Sequence, residues 1–128
     1  MYPLYAVAQR LNIPVLFHTG SSIFENSRIK YGNPICFDDL AVDFPRLKLV
    51  MAHGGRGAWY DKVSGLPPQK LLEYFPEMER FSHKFIFGSD WPNVNVAKNI
   101  DSIRSLPIST QARERILGET AAELLGIM

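Results

Sequence analysis

Three apolar runs in this chain end in a metal-capable side chain: Leu16-Phe17-His18-Thr19-Gly20, Met51-Ala52-His53-Gly54-Gly55 and Phe87-Gly88-Ser89-Asp90-Trp91-Pro92. Two neutral imidazoles and a carboxylate are donors that suit zinc or manganese, and such a cation makes hydroxide available near neutral pH. In each run the apolar residues come first and glycine adjoins the polar one. A buried parallel strand delivers a side chain to the rim of a sheet in this way.

The elements that must position these groups alternate between helix and strand. Residues 2–11 have helical spacing, with Leu4, Val7, Ala8 and Leu11 on one stripe and Pro3 suited to the first turn. Asn12 is the expected stop. Residues 13–17 form a short apolar strand that leads to His18. The stretch from Thr19 to Pro34 is rich in Gly, Ser and Asn and long for a connection, as functional loops are. A substrate carboxylate could be held there by Arg28, its one arginine. Residues 37–44 carry apolar side chains at helical spacing with Asp38 and Asp39 in the first turn, where the helix dipole favours them. A solvated helix face is their expected setting, and Cys36 is expected in the core.

Residues 48–52 form a second strand leading to His53, after which Gly54, Gly55 and Gly57 free the backbone around Arg56. Residues 60–65 are the weakest strand candidate. A helix is expected over 69–81, with Leu71, Leu72, Phe75, Met78 and Phe81 buried and Pro76 kinking or splitting it. A third strand over 84–87 leads to Asp90, with Trp91 and Pro92 packing the turn that follows. His83, between helix and strand, is expected at the surface. Helices over 94–106, 109–117 and 120–125 complete the chain, capped by Ser109 or Thr110 and ending at Gly126.

Alternation along each strand groups Leu16 with His18, Leu49 and Met51 with His53, and Ile86 and Gly88 with Asp90. One interior face is therefore expected for all three polar ends, with Val15, Phe17, Val50, Phe85 and Phe87 beneath helices. The intervals from His18 to His53 and from His53 to Asp90 each fit one strand-helix unit, about 31 residues in a barrel of ~250. The 128 residues hold about four such units. The expected fold class is α/β, a partial (β/α)8 barrel of about half the strands, in one domain spanning 1–128.

Bulk properties exclude several partners. The chain is 46% hydrophobic and 21% charged with a formal net charge of +1, so no basic stripe points to nucleic acid or an anionic membrane. Its single cysteine fits a reducing compartment, and no apolar run reaches the ~20 residues of a membrane span. A cytoplasmic setting is expected.

The motifs Phe17-His18-Thr19-Gly20, Ala52-His53-Gly54-Gly55, Ser64-Gly65 and Phe87-Gly88-Ser89-Asp90-Trp91-Pro92 together resemble the amidohydrolase-related family, in the branch of aminocarboxymuconate semialdehyde decarboxylase, aromatic-acid decarboxylases and lactonases. The resemblance runs from about Tyr2 to Gly126. It implies a (β/α)8 barrel with a divalent metal, often zinc, at the carboxyl ends of its strands. It also implies His18 as a metal ligand, Asp90 as a metal ligand or proton-transfer group, and His53 as the group that positions or activates the metal-bound water. Arg28, Arg56 and Trp91 are the candidates for substrate contact.

The family's first metal-binding element, a His-x-His on the first strand, has no counterpart in these residues, and the region from Trp59 to Ser64 is short against the family pattern. The chain is thus expected to be a C-terminal half of such an enzyme. Its expected activity is metal-dependent hydrolysis or decarboxylation of a small carboxylated or lactone substrate. A homo-oligomer or a complementary half-barrel chain would be needed to close the sheet. A truncated, non-catalytic remnant or interaction module is the alternative.

Overall fold

A computed structural model of the chain describes residues 2–21, 26–55, 68–89, 91–92 and 95–128. The chain divides into two compact units, Met1–Ser64 and Gly65–Met128.

In the first unit, α1 (Tyr2–Arg10) is followed by β1 (Val15–His18), α2 (Cys36–Asp43) and β2 (Leu49–Ala52). Asn12 ends the first helical segment in the left-handed conformation at φ 56°, which Asn tolerates better than most residues, and the Ile13 N–H closes back on the Ala8 carbonyl at 2.9 Å. The two strands run parallel, Val15 opposite Leu49 and His18 opposite Ala52. That is the βαβ arrangement expected of a barrel segment.

Aromatic rings tie the helices to β1. Tyr5 lies 5.8 Å from Phe17 and 5.9 Å from Phe44, and Phe17 lies 4.8 Å from Phe37 between ring centroids. Leu40 and Leu47 are buried beside them in sequence. This packing corrects the expected stripe on α1: Leu4 (70% exposed), Val7 and Leu11 face outward, while Ala8, the remaining member of that stripe, is half-buried together with Tyr5 and Gln9. Rings bury more area per residue than Leu or Val, so the ring-bearing side prevails. Cys36 is likewise exposed, at the first position of α2, and not in the core.

Strand register corrects the expected grouping of side chains. Parallel partners share a face, so Leu16 and His18 lie with Val50 and Ala52, whereas Met51 lies with Phe17. Alternation fixes faces within one strand but leaves open how two strands are phased.

The second unit contains α3 (Pro68–Tyr74), α4 (Val96–Arg104), α5 (Thr110–Glu114) and α6 (Thr120–Leu125), with a π-helical turn over Arg115–Glu119 joining the last two. Met78, Leu106, Ile108, Ala112 and Ile116 form its core, and Leu71, Leu72, Phe75, Phe85 and Ile103 pack against it. Asn95 and Ser109 cap α4 and α5 by accepting the backbone N–H of Lys98 and Ala112, and Gly126 ends α6 at φ 70°. Pro76 stops α3 early, and Phe81 is 40% exposed, outside the expected stripe.

Residues 85–89 are not paired into a sheet, contrary to the expected third strand. The Phe87 N–H donates instead to the Ile116 carbonyl at 2.9 Å. An apolar run reports half-buried extended backbone, and a helix carbonyl satisfies such backbone as well as a neighbouring strand does. No described helix is long and apolar enough to cross a membrane.

Candidate metal and catalytic site

His18 closes β1 and His53 is the first residue past β2, so both stand at the carboxyl ends of adjacent parallel strands. This is the rim at which barrel enzymes place their chemistry. Their ring centroids lie 5.0 Å apart with ring planes at 64°.

The approach does not come from strand alternation, since His18 is level with Ala52 and not with His53. A turn makes it. His53 has φ 67° and Gly54 φ 56°, two successive left-handed residues that swing the chain out of β2. Glycine takes this conformation freely, whereas a residue with a Cβ pays about 1–2 kcal/mol.

The turn is anchored from the β1 side. Thr19, fully buried, donates both its N–H (3.1 Å) and its hydroxyl to the Ala52 carbonyl. Next along the chain, the Gly20 N–H donates to the Gly32 carbonyl at 2.8 Å. A Cβ at Gly32 would fall on the Gly20 carbonyl oxygen well inside contact distance, so the returning loop needs glycine there. The signal for Thr19 in the sequence is slight, a buried-type hydroxyl residue immediately after a strand-ending histidine.

The His18 Nε2 lies 3.2 Å from the Ser21 carbonyl oxygen. When Nε2–H donates there, the lone pair sits on Nδ1, the arrangement by which metal-binding imidazoles are oriented. His18 and His53 are thus two donors of the right chemistry for a divalent cation, close enough to share one site. Among the described residues no group of three or more His, Cys, Asp or Glu side chains gathers to hold a metal. Asp90, the expected third donor, lies outside the described residues, as do Arg56 and the weak strand candidate over 60–65.

Of the expected substrate contacts, Arg28 is exposed ahead of the short 3-10 turn Ile29–Gly32, and its carbonyl accepts the Tyr31 N–H at 3.0 Å. Trp91 is 74% exposed, so it does not pack the turn as expected, and its N–H donates to the Ser89 hydroxyl at 3.3 Å. His83 is exposed beside the Phe81 ring.

Known proteins share this architecture. The chain is 22% identical, over an alignment of 173 positions, to a gamma-resorcylate decarboxylase of Rhodococcus jostii (strain RHA1), covering 95% of this chain and 53% of that protein. The alignment is longer than the 128-residue chain, so the relative carries segments with no counterpart here. Among solved structures, an uncharacterised TIM-barrel protein from Bordetella bronchiseptica superposes with a TM-score of 0.79 at 27% identity, over 98% of this chain and 50% of that one. A 2,6-dihydroxybenzoate decarboxylase from Rhizobium superposes with a TM-score of 0.65 at 18% identity, over 98% of this chain and 55% of that one, a likeness of fold alone.

The chain therefore spans about half the length of the relatives it matches, and its fold is that of part of a TIM barrel. The amidohydrolase family profile matches residues 1–127, the whole span on which the histidine-bearing strands, their loops and the closing helices lie, and the chain belongs to the amidohydrolase family.

Proposed function

We propose that this chain carries part of the active site of a metal-dependent decarboxylase acting on a small aromatic carboxylate. The observation that carries the reading is the 5.0 Å approach of His18 and His53 at the carboxyl ends of neighbouring strands. The decarboxylase relatives, one named for 2,6-dihydroxybenzoate, support the choice of reaction within the family.

In this reading His18 and His53 hold a zinc or manganese ion, with Asp90 as the carboxylate donor or proton carrier. When bound, the cation supplies a Lewis-acidic positive charge at the rim. The remaining work falls to the chain. The Ser21 carbonyl orients the His18 ring, and the left-handed turn aims His53. Arg28 and Arg56 are the cationic groups for a substrate carboxylate, and Trp91 offers an aromatic face. In the reaction the bond between ring carbon and carboxylate breaks, carbon dioxide leaves, and the ring carbon takes a proton. Asp90 is the group to deliver it. The setting is cytoplasmic in this reading, consistent with a single cysteine.

Calorimetric titration of the chain with zinc tests the reading, with His18→Ala as comparison. The wild-type chain should bind more tightly, by about 10-fold or more, as loss of a group that orients or holds a metal commonly costs. Equal binding by the two would overturn the metal site. Zinc binding with no carbon dioxide released from 2,6-dihydroxybenzoate would favour the non-catalytic alternative, and turnover of a lactone in its place would favour hydrolysis.

A further inference from the structure

We infer that Thr19 is a positioning residue for the His18–His53 pair, acting through the Ala52 carbonyl; the inference deepens the proposed metal site and rests on it for its functional meaning.

Thr19 is joined covalently to His18, and Ala52 to His53. A double hydrogen bond links these two neighbours: the Thr19 N–H and hydroxyl both donate to the Ala52 carbonyl oxygen. The N–H bond simply continues the parallel ladder by one step, and any residue other than proline would supply it. The hydroxyl bond is specific to threonine or serine. It occupies the second lone pair of that oxygen and removes the freedom of the peptide plane to pivot about the first bond.

That plane matters because its nitrogen belongs to His53. Rotating it changes φ at His53, the angle that takes the chain out of β2 and brings the second imidazole over the first. A left-handed residue with a Cβ drifts toward right-handed or extended backbone unless its surroundings hold it. The Thr19 side chain is fully buried, so its hydroxyl meets no competing water.

A space-filling role is the competing explanation, and the two differ in what substitution does. Thr19→Val keeps the shape and removes the hydroxyl; Thr19→Ser keeps the hydroxyl and removes a methyl. The first readout is the nuclear Overhauser contact between the His18 and His53 ring protons in the metal-free chain. The second is zinc affinity by calorimetry.

Thr19→Val should lose the ring-to-ring contact and bind zinc about 10–100-fold more weakly, the range seen when an orienting group is removed. Thr19→Ser should stay close to wild type in both. Should Thr19→Val fail to fold, Thr19→Ala against Thr19→Ser isolates the same hydroxyl. The inference is overturned when the variants lacking the hydroxyl keep the ring contact, or when the serine variant loses as much as they do. A wild-type chain that binds no zinc would remove the proposed metal site, while the ring contact would still decide the role of Thr19.

Discussion

His53 shows how much one residue's backbone decides here. Left in the extended run of β2 it would be phased with Met51 and Phe17; turned left-handed, it meets His18. A second polar contact at residue scale ties α1 to α2. A hydrogen bond to Asp43, together with that carboxylate's negative charge, raises the Tyr2 phenol above its usual pKa. The native chain thus keeps this proton to higher pH than the unfolded chain does. The stabilisation is complete below the ordinary phenol range and is lost as pH rises through the raised native value. In Asp43→Asn the onset of Tyr2 phenolate absorbance should move to lower pH; an unchanged titration would mean the pair does not form in solution. The two histidines were legible from sequence because each follows an apolar run. Thr19 was not, because its role is a bond to a residue in the other strand, and no spacing rule encodes that bond.

Elements were legible where their periodicity met a core and misread where two solutions existed. The helices at 36–43, 96–104 and 110–125 fall where apolar spacing and caps put them. In α1 the sequence offers both an aliphatic stripe and an aromatic one, and only the geometry of Phe17 and Phe44 selects the second. Residues 84–87 read as strand because a strand and a backbone-bonded extended segment have the same composition. The core of the second unit turns on Leu106, 1% exposed between α4 and α5 and packed with Met78, Ile108, Ala112 and Ile116. Leu106→Ala should destabilise the chain by about 3 kcal/mol in denaturant unfolding, the usual cost of a leucine-sized cavity. Leu125→Ala, at a side chain 59% exposed, is the comparison and should change stability far less.

At the scale of the whole molecule, the sheet of the first unit presents apolar surface. Leu16 is 68% exposed on the His18 face of the sheet, and among the described residues the sheet has only two strands, each with an unpaired edge. We expect a second copy, or a complementary half-barrel chain, to cover that face. Sedimentation should show species heavier than one chain, and Leu16→Asp should shift the distribution toward monomer; a wild-type chain that stays monomeric at every concentration would rule the closure out. The barrel class was legible because intervals between strand ends are set by unit length, whereas the faces of neighbouring strands depend on register. The wide turn at Arg115–Glu119 adds a constraint of another kind. There the Thr120 N–H reaches back to the Arg115 oxygen, and the Ile116 oxygen takes the Phe87 N–H. What that stretch must preserve is its tally of residues more than their identities: side chains are free to drift, but dropping a single position would rewind the coil into an ordinary α-helix and unhook the strand-like segment moored to it.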